Sequence, residues 1–354
     1  MAQQFASDNN AGICPEALEA LIRANAEGHV TGYGDDPWTD KACARVRELF
    51  ERDCEVFFVF NGTAANALAL AQICRPYDAV IAHAFSHVEE DEAGAAALFS
   101  GGAKIVTADT PLAKLDPDVV GRLAAKGRRG VHHVRSRALS ITQATELGTV
   151  YTPVEIAALT EVARRYDLKV HMDGARFANA VAHLGCSPAE LSWRAGVDVL
   201  CFGGVKNGLG VGEAVLFFDR ALAAEFDWRV KQAGHLNSKM RLVTAPWLAM
   251  IEGELWLRNA RHANGMAKRL HARIAGLNSV RLIAPVEANG VFVELPVPVQ
   301  ARLREQGWRF YTFLGDTGCR FMCAWDTTPE TVDRFADDIV AACAASLSPL
   351  AGRA

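Results

Sequence analysis

Three short segments carry residue types that do chemistry, at places where a folded chain can use them. HMDGAR (171–176) ends an apolar run with a carboxylate, Asp173, then two small residues and a cation, Arg176. A carboxylate at the C-terminal end of a parallel strand stands where open α/β sheets place their ligands. FGGVKNG (202–208) stops the apolar run VDVLCFGG in paired glycines and presents Lys206 on a glycine-flanked loop. An unpaired ammonium at the buried end of a strand is costly, so such a lysine has a lowered pKa, as a Schiff-base amine needs. FNGTAAN (60–66) passes from a strand into an Ala-rich helix through Gly62 and Thr63. Helix-start N–H groups beside a glycine make an anion site suited to a phosphate.

Each segment alone has a plainer reading. Asp173 could cap a helix that Arg176 neutralises, Lys206 could be a solvated loop lysine, and Gly62-Thr63 an ordinary strand–helix junction. Together they meet the three needs of pyridoxal phosphate: an amine for its aldehyde, a carboxylate to keep its ring nitrogen protonated, and a helix N-terminus for its phosphate. Neither a Walker loop nor a strand-following GxGxxG is present, so nucleotide and dinucleotide readings lose support.

The elements that must position these residues are legible as alternating patterns. VFFVF (56–60), AVIA (79–82), KIVT (104–107), ALSI (138–141), LKVHMD (168–173), VDVLCFGG (197–204) and AVLFF (214–218) are strand candidates. Helical patterns lie between several of them, notably PVEIAALTEVARRY (153–166) with its first-turn proline. Runs apolar on both faces and separated by helices predict a mostly parallel sheet covered on both sides. After about residue 250 the texture changes. IEGELWLRNARHANGMAKRLHARI reads as one long amphipathic helix, followed by the short runs SVRLIA, GVFVELP, WRFYTF and CRFMCAW and a last helix from Thr328 to Ala345. This predicts a large cofactor domain over 1–250, including the N-terminal segment, and a small α+β domain over 251–354.

Composition bounds the rest. The 354 residues are 50% apolar and carry 37 basic against 41 acidic side chains, a net charge of −4 with no basic stripe, which argues against nucleic acid as a partner. Nine scattered cysteines without a CxxC read as reduced thiols in a cytoplasmic protein. The N-terminus lacks a signal-peptide layout, and the uncharged stretch Val56–Cys74 holds Asn61, Gly62, Thr63, Asn66 and Gln72, so no membrane association is expected. His83 and His87 stand four apart without an evident third ligand, and no metal is expected. His132-His133 read as surface residues, Asp36-Pro37 as an N-cap and first-turn proline. Lys239 or Arg241 could reach a neighbouring subunit's phosphate or be solvated helix cations.

Nearly end to end, the sequence resembles the low-specificity L-threonine aldolases, within the fold-type I pyridoxal-phosphate enzymes that include the β-eliminating lyases. The resemblance rests on ASDN (6–9), YGDDP (33–37), NGTAAN (61–66), SHVEEDEAG (86–94), HMDGAR, VKNG and Cys319-Arg320. It implies an aminotransferase-like α/β fold, with Lys206 bonded to the cofactor and Asp173 at its ring nitrogen. Gly62 and Thr63 would hold the phosphate and His87 would stack on the ring. Ser7, Arg176 and Arg320 match positions that clamp the substrate carboxylate or support the cofactor's phenolic oxygen. A planar, permanently charged guanidinium suits that task.

The implied reaction is retro-aldol cleavage of L-threonine or L-allo-threonine to glycine and an aldehyde, in a homodimer or homotetramer with sites at subunit interfaces. A phenylserine-preferring aldolase or a β-eliminating lyase would share every cofactor residue; a non-catalytic pyridoxal-phosphate binder is more distant. Two departures stand out: QATELG (143–148) replaces the family's ENTHNG, putting Glu146 where many members have a histidine, and VKNG replaces SKG. The base that takes the β-hydroxyl proton is then His87, with Glu146 or an ordered water as alternatives.

Overall fold

The computed structural model describes residues 4–347. Seven of the predicted apolar runs become one sheet: β1 (Glu55–Val59), β2 (Asp78–His83), β3 (Lys104–Ala108), β4 (Arg135–Thr142), β5 (Lys169–Gly174), β6 (Val199–Phe202) and β7 (Glu213–Phe217). Their order is β1-β7-β6-β5-β4-β2-β3. Strands β6, β5, β4, β2 and β3 run parallel, while β7 is antiparallel to both of its neighbours. Every residue of β2, β6 and β7 is buried, as expected for strands covered on both faces.

The reversal at β7 makes Lys206 part of the loop that turns β6 back on itself. Glycines are required there. A Cβ at Gly203 would lie 2.5 Å from the carbonyl oxygen of Ala175, and Gly208 has φ +114°. The Gly203 N–H donates to Gly174 O at 3.0 Å, so the lysine loop is tied directly to the strand end that bears Asp173.

A second, antiparallel sheet has the order β10-β11-β9-β8. Its strands are β8 (Arg281–Leu282), β9 (Gly290–Glu294), β10 (Tyr311–Leu314) and β11 (Gly318–Met322). Helices Leu255–Ile274, Val297–Glu305 and Pro329–Leu347 pack around it. Phe5 belongs to this second core. It stacks on Phe335 with ring centroids 4.5 Å apart, and its backbone bonds Arg309 O at 2.7 Å and Met322 N at 2.8 Å. That anchorage fixes where Ser7 and Asp8, two and three residues later, enter the site.

The long helix expected from residue 251 is corrected. The chain forms two helices, Arg241–Glu252 and Leu255–Ile274, broken at Gly253 and at Glu254, which takes φ +50°. A helical apolar period continues through such a break, so periodicity alone does not see it. Arg241 is also not a solvated cation: it is buried, and its guanidinium donates to Ala24 O and Gly28 O at 3.3 and 3.0 Å. Asp36 caps its helix as expected, accepting from Trp38 N and Thr39 N. Among the described residues no helix is long and apolar enough to cross a membrane.

Candidate active site

A cavity of about 320 Å³ opens where the C-terminal ends of the parallel strands meet the second sheet. Ser7, Gly62, His87, Asp173, Arg176, Lys206 and Arg320 all line it. Thr63 stands at the same helix start as Gly62 but is not among the wall residues. Seven of the eight residues expected in the site are thus brought together from six separate stretches of chain.

Asp173, next to last in β5, is 4% exposed. Its Oδ1 accepts from Ala175 N at 2.9 Å and its Oδ2 from Asn66 Nδ2 at 2.8 Å. Burial pushes the carboxyl up, but the charges of His87 and Lys206 and the Ala175 N–H more than offset it. The group therefore titrates below the usual aspartate range and is ionised at neutral pH. Lys206 is half-buried in the turn Val205–Asn207, where burial and then the Arg176 charge pull its ammonium below the usual lysine range. This is the lowered amine expected from the sequence rather than a solvated lysine.

His87 begins the short helix His87–Glu90, and its Nδ1 bonds Glu92 Oε1 at 2.8 Å. That bond, working against burial and aided by Asp173, raises its pKa and favours the cation. Asn66 Nδ2 donates to Glu92 Oε1 and to Asp173 Oδ2, both at 2.8 Å, linking the histidine to the strand-end carboxylate. His87, Glu92 and Asp173 offer ligand atoms within 4.8 Å of one another. The Asn66 amide, a donor, already serves both carboxylates, so the trio is built around a hydrogen-bond donor rather than a cation. His83 is separate, engaged with Thr110 O at 2.9 Å and Phe85 N at 3.0 Å.

The two arginines differ. Arg176 spends its fork on Asp8, with bonds of 2.7 and 2.9 Å, and Asn289 Nδ2 donates to the same carboxylate at 3.0 Å. Arg320 is held against the Tyr311 and Phe313 rings, at 5.1 and 5.3 Å, and among the described residues its hydrogen bond is to Ala6 O at 3.4 Å. Its buried Nε has no partner among the described residues.

A pyridoxal phosphate fits these walls. Asn61 Oδ1 caps Ala64 N, leaving the earlier helix N–H groups to a phosphate, and the space where Gly62 would carry a Cβ is open. Buried unpartnered polar atoms are uncommon in native proteins. Asn66 Oδ1, Glu146 Oε2, Asn289 Oδ1 and Arg320 Nε are four such atoms, all on residues of this one cavity. They suit a polar ligand that carries both donors and acceptors.

Sequence reasoning missed Asp8, Asn66, Glu92 and Asn289. The first three lie inside the motifs ASDN, NGTAAN and SHVEEDEAG, and Asn66 follows Gly62 by one helical turn, which was a usable signal. Asn289 had none, because its relation to Asp8 exists only in the folded chain.

The profile of the Beta-eliminating lyase family matches residues 4–297. The low specificity L-threonine aldolase of Pseudomonas aeruginosa is 56% identical over 95% of this chain and 97% of its own. A relative of the same description from another Pseudomonas strain is 54% identical over 96% and 97%. The solved threonine aldolase of Leishmania major superposes with a TM-score of 0.90 at 29% identity, covering 96% of this chain and 99% of that one.

Proposed function

The chain belongs to the β-eliminating lyase family, and from that premise we propose that it cleaves L-threonine and L-allo-threonine to glycine and acetaldehyde. It has the fold-type I α/β architecture and is a pyridoxal-phosphate-dependent lyase. The observation that carries the substrate reading is the pair of differently engaged arginines over an ionised strand-end carboxylate and a depressed lysine.

Pyridoxal phosphate, when bound, supplies an aldehyde for an amine and a conjugated ring that takes up the electron pair of a broken Cα bond. Lys206, its ammonium destabilised by burial and Arg176, offers the amine. Asp173, ionised, would hold a proton on the pyridine nitrogen, and its own position is fixed by Ala175 N and Asn66. Gly62 and Thr63, at the helix start, would hold the phosphate, and His87, on the cavity wall, would stand against the ring. Arg320 and Ser7 bind the substrate carboxylate, while Arg176, locked by Asp8, supports the cofactor side of the pocket. Fixing the carboxylate selects which Cα bond breaks.

Arg320→Ala is therefore expected to raise KM for L-allo-threonine by about 10- to 100-fold, the loss of a charged hydrogen bond worth about 1.5–3 kcal/mol. kcat should fall as well, because the same contact orients the bond that breaks, and steady-state kinetics measure both effects. A product assay separates the reading from its rivals. L-threonine, L-allo-threonine and phenylserine are each supplied, and aldehyde with glycine is measured against oxo-acid with ammonia. Aldehyde and glycine in equal amounts support the aldolase, whereas oxo-acid and ammonia would make the chain an eliminating lyase.

A second copy of the chain completes the assembly in this reading. Phe60, directly before the site's helix cap, is 58% exposed, and a subunit contact would cover it. Nine unpaired cysteines support a reducing, cytoplasmic setting.

A further inference from the structure

The loop after β4 carries a carboxylate that the roles above leave unused. Glu146 lies on the cavity wall, its Oε1 accepts from His87 N at 3.0 Å, and its Oε2 is buried without a partner among the described residues. The loop is held rigidly on both sides. Thr145 N donates to Thr149 O at 2.9 Å, the two threonine hydroxyls share a bond of 2.7 Å, and Thr149 Oγ1 donates to Leu112 O at 2.8 Å. One oxygen is thus pinned and the other is kept for something inside the cavity.

We propose, resting on the aldolase reading above, that Glu146 is the acid–base residue of the cleavage, its Oε2 taking the proton of the substrate's β-hydroxyl. The O–H bond breaks towards Oε2, and its electron pair becomes the second C–O bond of the departing aldehyde. The Cα–Cβ pair stays with Cα, which takes a proton from water to become the glycine methylene, while protonated Glu146 returns its proton to water. Atoms and charge balance without a further reactant.

His87 is the worse base. Its Nδ1 is committed to Glu92, and the same bond shifts the ring towards the imidazolium, so only Nε2, and only in the neutral fraction, can accept a proton. Glu146 is faced by His87 from the helix after β2, Asp173 from the end of β5, Arg176 from the start of the helix Phe177–Leu184, and Tyr151 further along its own loop. Burial, then the Asp173 charge, pushes its carboxyl up to about 7. A carboxyl with that pKa is well matched to proton transfer near neutral pH. Because the ionised form is the base, kcat should fall as pH drops through about 7.

The test uses the holoenzyme with Glu146→Gln, which keeps the shape and an acceptor for His87 N–H. The expected result is a loss of about 10²-fold or more in kcat for L-allo-threonine, with the acid limb near neutral pH abolished. Cofactor absorbance, glycine affinity and exchange of the glycine Cα proton in heavy water should be retained, since none involves a β-hydroxyl. Glu146→Asp should recover part of the activity and restore the limb. A Gln variant with near-normal kcat and an intact acid limb overturns the proposal. So does loss of glycine binding and exchange along with kcat, which would make Glu146 a support of the pocket. Failure of the aldolase reading looks different: the wild-type protein itself would release no glycine and aldehyde.

Discussion

Lys206→Ala is expected to lower cleavage by about 10³-fold or more, the scale seen when a covalent nucleophile is removed. The visible absorbance of lysine-bound cofactor should vanish with it. The variant should still fold, because the turn is held without the lysine side chain. Asn207 Nδ2 donates to Trp256 O at 2.7 Å, Asn259 Nδ2 donates to Asn207 O at 2.9 Å, and Glu213 Oε2 accepts from the Gly204 and Val205 N–H groups. Borohydride reduction of the wild-type holoenzyme, followed by peptide mass mapping, should place the pyridoxyl adduct on Lys206. An adduct on another lysine, or an alanine variant that keeps band and turnover, contradicts the assignment.

Asp173→Asn is the second large effect. Asparagine keeps an oxygen for Ala175 N–H but removes the charge that His87 and Lys206 both stabilise. A neutral amide does not hold the pyridine nitrogen protonated, so kcat should fall by about 10²–10³-fold, as when one preorganised electrostatic partner is lost. Lys206 remains, so the cofactor stays bound and coloured. The sign of the pH dependence follows from the lowered carboxyl: Asp173 is ionised throughout the neutral range and contributes no acid limb there. The acid limb expected from Glu146 should move to lower pH, at reduced height, in Asp173→Asn, because the Asp173 charge is one of the causes that raise the Glu146 carboxyl. Kinetics across pH on both variants check the separation.

How much of this was legible in the sequence depends on distance along the chain. All seven strands of the large sheet were visible as apolar runs, and so was the placing of Asp173 and Lys206 at strand ends; burial on two faces makes the signal contiguous in the inner strands, while edge strand β3 is only partly buried. The break at Gly253-Glu254 was invisible to periodicity, whereas β8, two exposed residues, falls inside the run SVRLIA. Within the site, residue types announced the lysine, the carboxylate and the arginines. Which arginine was already engaged was not legible, since the Asp8–Arg176 pair joins positions 168 residues apart. The same holds for Glu146. The sequence showed a carboxylate in place of a histidine, but only the fold shows one oxygen pinned by His87 N–H and the other without a partner among the described residues.

The most direct measurement is the visible spectrum of the purified protein with pyridoxal phosphate, before and after L-allo-threonine, with acetaldehyde assayed in the same cuvette. The account predicts a yellow band that substrate perturbs as acetaldehyde appears. No band after adding pyridoxal phosphate would mean that Lys206 is an ordinary lysine and would contradict the account at its centre.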